Sequence, residues 1–91
     1  MTNQKLGIAY YNKNDWLKFI NTVDDKKKVE KTWDEWKLQF DKFVIMLINN
    51  NINFEKVVIN IDDMINFFKE KKLKNTSKNR SFYVAKLISK K

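Results

Sequence analysis

Ninety-one residues and 11.1 kDa suffice for one cored domain, which would bury about 60–65% of its unfolded surface, and are too few for two. Hydrophobic residues at 43% beside charged residues at 33% exclude disorder throughout; with no Cys and no His, disulfides, thiolate or imidazole zinc sites, Cys nucleophiles and His acid–base chemistry are all excluded. The net charge of +8 favours acidic partners, and it is uneven: residues 1–68 hold ten basic and ten acidic side chains, whereas 69–91 hold nine basic ones and Glu70 alone.

Lys5 to Tyr11 alternates Leu6, Ile8 and Tyr10 against Gly7, Ala9 and Tyr11, which predicts a strand with one bulky and one small face. Gly7, the one glycine, reads as a small residue beneath a packed helix rather than a bulge. Asn12 is placed to cap a helix over about 13–23, with Asp15 reaching back and Trp16, Phe19, Ile20 and Val23 at helical spacing. A charged connector ends at Thr32, which with Glu35 spells a capping box before a long helix. Trp33, Trp36, Phe40, Phe43, Val44 and Leu47 form its stripe. Leu38, Ile45, Met46 and Ile48 widen the apolar surface, so the C-terminal half of this helix is expected to be nearly buried.

Asn49, Asn50 and Asn51 supply a stop that tolerates left-handed backbone, and Phe54 to Ile61 reads as a second strand. Asp62 and Asp63 are placed to cap a third helix with a lysine-rich last turn near Lys72. After a polar break at Leu73–Lys78, Thr76 or Ser77 can cap a final helix carrying Tyr83, Val84, Leu87 and Ile88. The expected fold is thus helix-rich α+β with the α/β-like order β-α-α-β-α-α: a single domain over 1–91, with two short parallel strands covered by four helices. A two-stranded sheet leaves two unpaired edges, and self-association into a four-stranded homodimer would satisfy one of them in each copy.

Gly7-Ile8-Ala9-Tyr10-Tyr11, Asp15-Trp16, Thr32-Trp33-Asp34-Glu35-Trp36, Val58-Ile59-Asn60-Ile61-Asp62 and Phe67-Phe68, in this order, give the chain a resemblance to a family of short uncharacterised bacterial proteins. Those proteins carry a Gly-Ile-x-Trp-Tyr strand, an Asp-Trp helix start, a Thr-Tyr/Trp-x-x-Trp helix start and a Val-x-Val-Asp strand end. The similarity covers nearly the whole chain. Tyr10 stands where that family has tryptophan, and Phe68-Lys69 where it has Trp-Cys. The resemblance implies one compact cytoplasmic domain and transfers no site residue.

Three constellations could carry chemistry. Tyr10, Tyr11, Trp16, Trp33 and Trp36 gather where the first strand ends and two helices begin; packing is the plainer role, with Tyr11 and Trp33 expected to be partly exposed and able to stack a ring. Asp15, Asp34, Glu35, Asp62 and Asp63 each fall in a first helical turn, where capping explains them without catalysis or a metal. Lys71, Lys72, Lys74, Lys78 and Arg80 flank the last break and could grip phosphates, Arg80 by a bidentate contact. Eighteen of the nineteen bases are Lys and Asn occurs twelve times, a bias that AT-rich coding also produces.

The sequence therefore reads as a non-enzymatic cytoplasmic interaction or accessory domain with no cofactor or metal, self-associating as a homodimer or binding a protein partner. The alternative is weak, sequence-nonspecific nucleic-acid binding through residues 69–91; a metal-assisted enzyme using acidic helix starts is a third class. No apolar run approaches a membrane span, and Met1 to Lys13 does not read as a secretory leader.

Overall fold

The alternating segment at the start of the chain forms strand β1, Leu6–Tyr10, and pairs in parallel with β2, Phe54–Val58, so that Leu6 lies opposite Phe54 and Tyr10 opposite Val58. This is a computed structural model, and it describes residues 5–89; Lys90 and Lys91 of the basic end lie outside the described residues. Helices α1 (Trp16–Thr22), α2 (Trp33–Asn49), α3 (Ile61–Lys71) and α4 (Ser77–Ser89) complete the expected β-α-α-β-α-α order around a two-stranded sheet. Among the described residues no helix is long and apolar enough to cross a membrane.

The two faces of β1 set the layers. Tyr10, on the bulky face, meets α2 through edge-on ring contacts with Trp36 and Phe40, at 5.5 and 5.3 Å between centroids. Gly7, on the small face, lies under α4: a Cβ there would collide with Val84 and Ile88, so glycine is required by close approach and not by a turn. Phe19, Leu47, Ile59 and Met64 are fully buried, and one core joins Phe19 of α1, Val57 of β2, Ile59 just after it, Met64 of α3 and Val84 of α4.

Local signals worked unevenly. Thr32 caps α2 as expected, its hydroxyl accepting from the Glu35 amide at 3.1 Å. Asn51 does take the left-handed conformation, with φ 56°, and the amide of Ile52 closes back on Leu47. Asn12, in contrast, makes no capping bond; the chain winds through a 3-10 turn at Lys13–Asp15 and becomes α-helical only at Trp16. The cap of α3 is Asn60, whose side chain accepts from the Asp63 amide at 3.0 Å, while Asp62 and Asp63 sit inside the first turn. β2 accordingly stops at Val58 rather than Ile61.

The largest departure concerns α2. Its C-terminal half, expected to be nearly buried, buries only Leu47 fully: Ile45 and Ile48 are 57% and 58% exposed, and Leu38, nearer the start, is 54% exposed. At about 100° per residue Leu38 and Ile45 fall on the side of α2 opposite Trp36, Phe40 and Leu47, so the small sheet covers one stripe of the helix and leaves its other apolar residues facing outward.

Candidate interaction surface

The aromatic constellation is a packing knot. Tyr11 stacks on Phe19 with centroids 4.2 Å apart, and Trp16 and Trp36 close around them at 5.1–6.3 Å. Tyr11, expected to be partly exposed, is 5% exposed; burial pushes its phenol up to about 12, with the nearby Arg80 charge pulling the other way. Trp33 is half-buried, and its indole N–H donates to the Tyr11 carbonyl at 2.7 Å, with Lys13 5.6 Å above its ring. That hydrogen bond fixes the N-terminus of α2 to the end of β1. Ring binding would need the knot opened.

Arg80 has also left the basic surface. It is 8% exposed, and its guanidinium forms a fork on Asp25 (2.9 and 3.0 Å) while also donating to the backbone and side-chain oxygens of Asn75, both at 3.0 Å. The bidentate anion contact expected of Arg80 is therefore made inside the chain. Burial alone would raise the Asp25 carboxyl; hydrogen bonds from Arg80 and the Ser77 amide, with the guanidinium charge, outweigh it and hold the group below its ordinary value. Asp24 adds a reciprocal pair with Asn75, and the whole cluster ties the connector after α1 to the α3–α4 break. Lys71, Lys72, Lys74 and Lys78 remain exposed around that break.

The acidic helix starts are dispersed: Asp62 bridges to Lys18 at 3.2 Å and Asp34 to Lys13 at 3.7 Å. Among the described residues no three Asp or Glu converge as metal ligands would.

What the structure adds is a groove of about 430 Å³ along β1. Its floor is Leu6–Ala9, one wall is Gln39, Phe40 and Phe43 of α2, and the other is Ser77, Ser81 and Val84 of α4. The groove opens beside the uncovered turns of α2: Phe43, Met46 and Leu6 are all about two-fifths exposed. Sequence reasoning treated these apolar residues as core. The signal it passed over is the run Phe43–Ile48, apolar on every side of the helix, which needs more covering than one small sheet supplies.

In comparison with known proteins, no family model, no curated protein and no solved structure matches this chain.

Proposed function

We propose that the chain is a non-enzymatic cytoplasmic interaction domain whose first partner is a second copy of itself. The observation that carries this reading is the apolar surface left open on α2, together with an outer edge of β1 that makes no backbone hydrogen bond among the described residues. Leu38, Ile45, Met46 and Ile48 of one helix are all exposed, and large apolar side chains grouped in this way mark protein contacts. The charge pattern is compatible, because the acidic and basic side chains of residues 1–68 balance and do not force copies apart at this end of the molecule. Light scattering at micromolar concentration and moderate salt should return twice the 11.1 kDa chain mass; a monomer under those conditions removes the reading.

The second reading, phosphate-backbone binding around the α3–α4 break, is supported by the exposed Lys71, Lys72, Lys74 and Lys78, without Arg80. It calls for affinity to single or double strands that falls steeply with added salt, and loss of that affinity when the four lysines become glutamine.

A further inference from the structure

We propose that two copies join by antiparallel pairing of β1 with β1, with Ile8 opposite Ile8 at the two-fold axis, giving a continuous four-stranded sheet. The inference rests on the self-association reading and specifies its edge and register.

The backbone decides which groups are available. The Leu6 amide donates to Asn53 and the Tyr10 carbonyl accepts from Ile59, both at 2.9 Å, so Leu6, Ile8 and Tyr10 are the residues that bond to β2. In a parallel ladder alternate residues face opposite sides, so the N–H and C=O of Gly7 and Ala9 point away from β2 into the groove. No hydrogen bond to these four groups occurs among the described residues. The next outward carbonyl, that of Tyr11, is already taken by Trp33, which marks where the available edge ends.

Gly7 and Ala9 are two positions apart, so an antiparallel second copy centred on Ile8 pairs Gly7 with the other copy's Ala9 in both directions. Four backbone hydrogen bonds form, and every outward group of Gly7 and Ala9 is satisfied. Pairing Gly7 with Gly7, or Ala9 with Ala9, would satisfy only half of them at the centre.

Three further features select β1 and a second copy. β1 has no charged side chain over Leu6–Tyr10, whereas β2 carries Glu55 and Lys56, and lysine on a strand edge is a common guard against pairing. Leu6, Ile8 and Tyr10 share the face that packs on α2, so a two-fold axis perpendicular to the sheet sets both α2 helices on one face, with the two-fifths-exposed Phe43 of each copy flanking the junction. Any extended strand could bond to Gly7 and Ala9, but a second copy also brings its own unpaired edge. One symmetric contact then satisfies both edges at once.

The test uses Ala9→Pro. Proline deletes an outward N–H that the isolated fold does not use, and it is a residue that edge strands accept. The expected result is a halved solution mass with an unchanged far-ultraviolet circular dichroism spectrum. In the parent protein, hydrogen exchange requires no variant: the Gly7 and Ala9 amides should exchange as slowly as Ile8, while Lys56 and Val58, on the outer edge of β2, exchange fast. A dimer that survives Ala9→Pro, or fast exchange at Gly7 and Ala9 in a dimeric protein, overturns the β1 pairing and leaves self-association standing. Should Ala9→Pro fail to fold, the exchange pattern of the parent decides. A parent protein that is monomeric at micromolar concentration overturns both.

Discussion

Arg80 shows what a single side chain contributes when its partner lies 55 residues away. The Asp25 and Arg80 side chains are 11% and 10% exposed, so neither is well solvated, and removing one leaves the other's charge stranded. Asp25→Asn should therefore cost about 3 kcal/mol at pH 7 in urea denaturation. The folded carboxyl titrates below its free value of 3.8, so the stabilisation is complete above that pH and is lost as pH falls through the lowered folded value. The gap between parent and variant should narrow below pH 4; a gap independent of acidity would mean that the ion pair is not its source. Arg80 also lies 5.4 Å from the Phe19 ring, so it joins the α3–α4 break to the aromatic knot as well as to the connector. As a lone arginine in a lysine-rich tail it resembled surface charge, because sequence spacing carries no record of Asp25 beside it.

Helix ends were legible where the residue type itself prefers the required backbone. Asn51 could be anticipated as a left-handed stop because asparagine tolerates that conformation. Lys72 could not, although it ends its helix in the same way. It adopts φ 56°, its amide bonds to Lys69 and that of Leu73 to Phe68, closing α3 in a Schellman motif. Lysine has no such preference, and its exposed side chain gains nothing visible in return. Lys72→Gly should accordingly raise stability by about 1 kcal/mol, seen as a higher urea midpoint with an unchanged slope. A lower midpoint would show that the left-handed backbone costs less than the entropy glycine adds to the unfolded chain. The same limit applies to α2: its start at Thr32–Glu35 was written locally, whereas the fate of its apolar second half depended on which side of the helix the sheet covers.

For the whole molecule, the Cα radius of gyration of 13.5 Å exceeds the roughly 12 Å expected of a compact chain this size, and the extents of 37 × 29 × 21 Å are those of an elongated body. A 17-residue α2 beside an open β1 edge fits that shape. If the folded unit is a dimer, its thermal midpoint must depend on protein concentration, since association adds about 1.4 kcal/mol of stability per tenfold rise. A tenfold increase should lift the midpoint by about 3–5 °C in calorimetry, and a midpoint independent of concentration would indicate unfolding from a monomer.

The order of elements and the small face of β1 at Gly7 were determined by the sequence itself. Periods of 3.6 and 2 and the caps at their ends are set by residues within a turn or two of one another. Tertiary structure alone decided that the two strands would pair, that Tyr11 and Arg80 would be buried, that Asn60 rather than Asp62 would cap α3, and that α2 would keep apolar residues uncovered. Burial depends on which distant elements meet, and a two-stranded sheet covers one stripe of a helix that is apolar on several sides, a remainder that no local pattern records.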